Sequence, residues 1–139
     1  MKVVSDKILI NTEHEGDVRD ITDEVQRILS SKDVHNGIIT LFVAGSTGAL
    51  TTIEFEPGLA FDFPAMLERL APKGIPYEHE NLWHDGNGHS HVRASLVGPS
   101  LTVPFINQRL TLGTWQQIVF LELDVRSRRR EIVLQIIGE

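Results

Sequence analysis

The 139-residue chain contains no cysteine. Disulfide bonds are therefore excluded, as are thiolate metal ligands, which leaves histidine, carboxylate and water as the groups that could hold a metal. Basic residues are also few, 13 against 19 acidic ones, and the formal net charge is −6. Because general nucleic-acid binding requires a positively charged surface, the sequence argues against a nucleic-acid partner.

Long apolar runs are missing as well. No segment approaches the roughly 20 apolar residues that a membrane-spanning helix needs. The first residues, MKVVSDKILINTEHEG, lack an apolar stretch followed by a small-residue cleavage site. We therefore expect a soluble, cytoplasmic protein with no membrane partner, folded as a single domain over residues 1–139.

The pattern of apolar residues predicts a fold richer in strands than in helices. One helix is expected after Asp20, from the spacing of Ile21, Val25 and Ile28, and a second from Asp62 to the breakers near Pro72. Segments typical of strands fill much of the rest: Lys2–Asn11, Gly37–Val43, Ala49–Phe55, Val92–Val97, Leu101–Phe105, Trp115–Leu123 and Glu131–Ile137. The prediction is an α+β fold with about seven strands in two packed sheets and two helices.

Two of these strands are apolar on both faces. They contain the runs Ile118–Leu121 and Ile132–Leu134. A sheet of this kind must bury both faces, and two helices are few for the task. We therefore expect part of the sheet surface to be covered by another subunit.

Histidine is concentrated in one segment of the chain. Six histidines spread evenly over 139 residues would put about 0.6 in a thirteen-residue window, yet His79, His84, His89 and His91 fall in one. Because neutral imidazole is a common metal ligand, the segment is predicted to form a metal or proton-transfer site. If it is a strand, His89 and His91 share one face with Arg93, and Val92, Ala94 and Leu96 face a core on the other side. The alternative is a solvated polar loop, since the spacing matches no known zinc motif.

A carboxylate and a small-residue turn are further candidates. Glu54 lies among apolar strand residues, so it is either a paired site residue or a surface residue. The hydroxyls of Ser46 and Thr47, between two glycines, could bind an anion or form an ordinary turn. No lysine follows Gly48, which excludes a P-loop.

Arginine is concentrated near the C-terminal strand. Arg126, Arg128, Arg129 and Arg130 form the run RSRRR in an otherwise acidic chain. Guanidinium groups match phosphate oxygens, so a phosphorylated small-molecule ligand is one interpretation and a solvated turn is the other. We expect alanine at Arg129 or Arg130 to weaken such a ligand with little effect on folding.

Several ordered motifs together resemble one protein family. They are GSTGALTTIE, YEHENLWHDGNGHSHVRASLVGPSLTVP, RLTLGTWQQI and RRREIVLQIIGE, and they extend over essentially the whole chain. The chain resembles the YjbQ-like family, whose members are often named secondary thiamine-phosphate synthases. Gly45 stands where many bacterial relatives carry histidine, and His89 where many carry another residue.

The resemblance implies a two-sheet sandwich with flanking helices that assembles as a homotrimer with a polar site near subunit boundaries. It also implies that the recurrent polar positions of the family are Glu54, His79, His91, Gln116 and Arg130. Glu54, His79, His91 and Gln116 are the catalytic candidates among them.

The activity suggested for the family joins a pyrimidine diphosphate to a thiazole phosphate and releases pyrophosphate. It implies a divalent metal, zinc or magnesium, with the candidate ligands His79, His89, His91 and Asp85. The candidate phosphate-binding residues are Ser46, Thr47, Arg128, Arg129 and Arg130. A non-catalytic trimer that binds a metal or a phosphorylated metabolite is the alternative function.

Overall fold

The computed structural model describes all residues, 1–139, and contains eight strands and four helices. The strands are β1 (Lys2–Asn11), β2 (Val18–Asp20), β3 (Gly37–Val43), β4 (Gly48–Ile53), β5 (Ser100–Ile106), β6 (Arg109–Leu110), β7 (Gln117–Glu122) and β8 (Arg129–Gly138). The helices are α1 (Thr22–Ser30), α2 (Pro57–Leu70), α3 (Glu78–Trp83) and α4 (Gly88–Val97). None of these helices combines the length and the apolar character needed to cross a membrane.

The strands form two sheets, in which every pairing is antiparallel. The larger sheet has the order β1-β8-β3-β5-β6 and the smaller one the order β2-β7-β4. The α+β fold with two packed sheets is therefore confirmed, with one more strand and two more helices than the sequence predicted.

Two apolar layers hold the fold together. The main core lies between the sheets and includes Ile39 and Leu134 of the larger sheet, Phe120 of the smaller sheet and Val25 of α1. A second core covers the other face of the smaller sheet, where Leu67 of α2 and Ala94 of α4 pack. The order of layers is thus larger sheet, smaller sheet, then helices α2 and α4, while α1 packs into the main core.

The strand predicted over Val92–Val97 is wrong, because these residues belong to helix α4. The buried residues Ser90 and Ala94 and the half-buried Val97 follow helical spacing and face the smaller sheet. Val92 and Leu96, expected in the core, are about half exposed.

Helix α2 begins five residues earlier than predicted. The carboxylate of Glu56 accepts hydrogen bonds from the backbone N–H groups of Gly58, at 2.8 Å, and Leu59, at 2.5 Å. Pro57 then supplies a first helical residue that needs no hydrogen-bond partner. This Glu-Pro start, rather than Asp62, sets the helix boundary.

The two doubly apolar strands differ in how their second face is covered. In β7, Ile118 and Phe120 face the main core while Val119 and Leu121 face the helices, so this strand is covered within one chain. In β8, by contrast, the outer face is not covered by any helix of the chain, and it continues laterally into a set of exposed apolar residues: Val3, Ile38, Phe42 and Ile137. The outer face of the larger sheet is the remaining surface suited to self-association.

Candidate functional site

A polar cleft lies where the loop after β3, the turn between β7 and β8, and helices α3 and α4 meet. Its volume is about 420 Å³, and one of its eleven lining residues is apolar. The lining residues are Gly45, Ser46, Thr47, His79, Trp83, Asp85, Asn87, His91, Asp124, Arg128 and Arg130. The histidine segment and the arginine run, 35 or more residues apart in sequence, therefore meet in one site.

Under the cleft, two buried carboxylates alternate with two arginines. Arg130 Nε donates to Glu122 Oε1 at 2.9 Å, and its Nη2 donates to the same carboxylate and, at 2.8 Å, to Thr47 Oγ1. Thr47 Oγ1 in turn donates to Asp124 Oδ2 at 2.8 Å. Arg128 completes the series through an Nη2 contact of 2.7 Å to Asp124. Glu122, Asp124 and Arg130 are each buried, so the series is fixed from inside the protein.

Asp124 is held in its charged form. Burial by itself raises the pKa of this carboxyl, but donation from Thr47, the Val125 backbone N–H, Arg128 and Asn87 outweighs burial and lowers the pKa. The carboxylate therefore orients Arg128, whose guanidinium remains about one-third exposed at the cleft.

Gly45 makes room for Arg130, and Gly48 makes room for Phe120. A side chain at Gly45 would bring its Cβ to 2.8 Å from Arg130 Nη1, and the φ of +147° at Gly45 also disfavours other residues. A Cβ at Gly48 would come to 2.9 Å from the ring of Phe120 and 3.5 Å from Arg130 Cζ. With glycine at position 45, no side chain from that position presses on Arg130 Nη1, although Arg130 as a whole is buried.

His79, His91 and Asp85 line the opposite part of the cleft, and Glu80 lies beside them. His79 Nε2 lies 3.3 Å from Asp85 Oδ1, yet this buried nitrogen has no partner in hydrogen-bonding geometry. The ring centroids of His79 and His91 are 4.5 Å apart. Ligand atoms of His79, Glu80 and Asp85 all lie within 4.8 Å of one another. Two ligands of a tetrahedral zinc ion are about 3.3–3.6 Å apart, so His79 and Asp85 fit such an ion.

His89 does not join the other histidines. Residues two apart on a helix point in nearly opposite directions, whereas on a strand they would share a face. On α4, His91 faces the cleft, while the buried His89 Nε2 lies 2.5 Å from Glu15 Oε1. Burial acts to raise the pKa of Glu15, but hydrogen bonds with Lys73 and His89 outweigh it and lower the pKa. The expected shared face of His89, His91 and Arg93 is therefore wrong.

Three other candidate residues lie outside the cleft. Glu54 is exposed just after the end of β4. The Gln116 side chain bonds to Thr52 Oγ1 and the Gly113 N–H, each at 3.1 Å, and borders a different groove. Arg129 is exposed and borders a second polar groove beside Arg128.

The predicted phosphate-binding residues differ in their availability at the cleft. Ser46 is exposed there, whereas the Thr47 hydroxyl is engaged by both Asp124 and Arg130. Arg128 and Arg130 line the cleft, whereas Arg129 does not. The expectation that Arg130 can be removed with little effect on folding conflicts with its buried pairing to Glu122.

Sequence reasoning missed four residues that shape the cleft: Glu80, Asn87, Glu122 and Asp124. Glu122 and Asp124 end the apolar run IVFLELD, and the argument applied to Glu54 would have found them. Asn87 is buried, donates to Asp124 at 3.3 Å, and leaves its Oδ1 unpartnered. Glu80 Oε1 accepts from the Gly88 N–H at 2.9 Å and so links α3 to the start of α4.

Comparisons with a family model and with individual proteins agree with one another. The family model for "UPF0047 protein YjbQ-like" matches residues 6–139. A UPF0047 protein from Methanothermobacter thermautotrophicus is 39% identical over 139 residues, covering 100% of this chain and 95% of that one. A UPF0047 protein from Archaeoglobus fulgidus is 39% identical over 127 residues, covering 91% and 97%.

Solved structures match over the same extent. A YbjQ-like protein of unknown function from Sulfolobus solfataricus superposes with a TM-score of 0.94 at 34% identity, covering 99% of both chains. A hypothetical protein from Aeropyrum pernix has a TM-score of 0.87 at 34% identity, covering 100% of both chains.

Proposed function

Because this chain belongs to the UPF0047 YjbQ-like family, we propose that its polar cleft binds a phosphorylated small molecule together with a divalent cation. The main support is the composition of the cleft. His79 Nε2, a buried nitrogen without a hydrogen-bond partner, lies beside Asp85 in the same cleft as Arg128 and Arg130. Imidazole and carboxylate suit a cation such as zinc, and guanidinium groups suit phosphate oxygens.

The charge of the cleft supports joint binding of cation and phosphate. Glu80, Asp85, Glu122 and Asp124 supply four negative charges beside the two positive charges of Arg128 and Arg130. A phosphate alone would meet a net negative surrounding, whereas a divalent cation at His79, Glu80 and Asp85 neutralises it. His89 is not part of this ligand set, because Glu15 engages it on the other side of α4.

The reaction proposed for the cleft is the transfer that the family resemblance implies. The bond between the carbon attached to the pyrimidine ring and a diphosphate oxygen breaks, and the lone pair of the thiazole ring nitrogen forms a new bond to that carbon. Pyrophosphate leaves with the bonding electron pair. When bound, the cation stabilises negative charge on this leaving group. Arg128 and Nη1 of Arg130, the guanidinium nitrogen that Glu122 and Thr47 do not engage, contribute hydrogen-bond donors to the same oxygens.

Metal content tests the cation site independently of activity. We expect wild-type protein, stripped with chelator and reloaded with zinc, to retain a stoichiometric ion, and His79→Ala and Asp85→Ala to lose it. His84→Asn is the matched control, since His84 is exposed outside the cleft at a φ of 55°, which asparagine tolerates. Equal metal content in all four proteins would reject the proposed ligands.

Turnover separates an enzyme from a binding protein. Protein loaded with zinc or magnesium is mixed with the pyrimidine diphosphate and the thiazole phosphate, and released pyrophosphate is measured. Release that Arg128→Ala reduces supports the transferase. Retained metal and pyrophosphate binding without turnover supports the non-catalytic function, and failure to bind either rejects the whole proposal.

A further inference from the structure

Trp83 is the one apolar residue that lines the polar cleft. Its side chain is 70% exposed. It ends α3 one helical turn after His79, so both residues lie on the same face of this helix. His84 follows with a φ of 55°, which ends the helix and turns the chain away. The indole is thus carried on a defined helix end beside the metal and phosphate candidates, rather than on a long loop.

We propose that Trp83 is the residue on which the heterocyclic ring of the phosphorylated ligand stacks. This inference rests on the proposed function, whose ligands carry a ring as well as a phosphate group. An exposed indole offers a broad apolar face, and stacking of a heterocyclic ring on it is favourable whatever the ring's hydrogen-bonding pattern.

The dimensions and lining of the cleft support a ligand with two unlike ends. A volume of about 420 Å³ falls within the range of small-molecule sites, and an inorganic phosphate would fill only part of it. The charged groups Arg128, Arg130 and Asp85 can hold phosphate and cation, but they offer no apolar surface. Trp83 is the lining residue that can bury a ring, so it selects ring-bearing phosphates over inorganic ones.

The test uses fluorescence, because the chain has two tryptophans. Trp115 is 72% exposed and lies outside the cleft, so Trp115→Phe leaves Trp83 as the single reporter. Cytidine diphosphate and inorganic pyrophosphate are titrated into this full-length variant in magnesium-containing buffer. We expect cytidine diphosphate to quench the emission and to bind more tightly than pyrophosphate.

The affinity of substituted proteins, measured by calorimetry, decides the role of the indole. Trp83→Ala should weaken cytidine diphosphate on the order of 5- to 100-fold and leave pyrophosphate unchanged, while Trp83→Phe keeps most of the affinity. Leu82→Ala is the matched control, since Leu82 is equally exposed on the same helix but does not line the cleft.

The outcomes separate this inference from the proposed function. If pyrophosphate binds but Trp83→Ala leaves the affinity for cytidine diphosphate unchanged, the stacking role alone is overturned. The same conclusion follows if Trp83→Ala instead changes the oligomeric state seen by light scattering and leaves that affinity unchanged. If the Trp115→Phe protein binds neither cytidine diphosphate nor pyrophosphate, the proposed function and the stacking role of Trp83 both fail.

Discussion

Replacing Arg130 with alanine should destabilise the fold as well as the cleft. Arg130 is 5% exposed and Glu122 is fully buried. The substitution leaves the Glu122 carboxylate with Thr12 Oγ1 and the Asp124 N–H as its remaining donors, at 2.8 and 3.1 Å. It also removes the Nη2 donor from Thr47. A buried charge that loses its partner costs about 3–5 kcal/mol.

The size of the effect can be expressed as a melting temperature. Unfolding entropies of about 2.1 cal/mol/K per residue give roughly 0.3 kcal/mol/K for 139 residues, so Arg130→Ala should lower Tm by about 10–17 °C. Urea unfolding at the same protein concentration should show a lower midpoint with an unchanged slope.

Two further variants identify the cause. Arg129 lies on the same strand, is exposed and forms no ion pair. Arg129→Ala should therefore change the free energy of unfolding by no more than about 0.5 kcal/mol. The double variant Arg130→Met with Glu122→Gln removes both charges and should recover much of the loss. A loss of stability below about 1 kcal/mol for Arg130→Ala would refute the reasoning. So would a double variant whose loss of stability equals the sum of the losses of Arg130→Met and Glu122→Gln measured singly.

Asp124→Asn should make stability less dependent on acid pH. Because the folded pKa of Asp124 is lowered, its stabilisation is fully present above the unfolded pKa of about 3.9 and is lost as pH falls through the folded value. Thermal melts between about pH 5 and pH 2 should therefore fall less steeply for the variant, and parallel curves would contradict this. We also expect a homotrimer, built on the apolar outer face that includes Ile38, Phe42 and Ile137. Light scattering should give about three times 15.6 kDa, and a monomer at micromolar concentration would rule it out.

Local sequence patterns determined most of the strand framework. Lys2–Asn11 and Gly37–Val43 were predicted with the bounds that the structure has, because β-branched enrichment and turn residues act within a few positions. The motifs also identified the family, which the comparisons confirm. The absence of cysteine limited any metal site to imidazole and oxygen ligands, and the histidine segment identified where one part of the cleft lies.

The inward direction of Arg130 was also within reach of the sequence. Ile132, Leu134 and Ile136 of β8 face the core, and side chains two apart on a strand share a face. Extending that alternation backward makes Arg130 inward and Arg129 outward, as the structure shows.

Tertiary structure alone decided the arrangement of the histidines. The segment Gly88–Val97 has no strong helical periodicity, and it forms α4 because Ser90, Ala94 and Val97 find a matching surface on the smaller sheet. That choice turns His91 into the cleft and His89 toward Glu15. Tertiary structure also decided which arginine pairs with which carboxylate. Arg130 pairs with Glu122 and Arg128 with Asp124 around a turn that is held by Thr47 from a distant loop. Contacts between residues far apart in sequence depend on how the layers pack, and local periodicity carries no information about that packing.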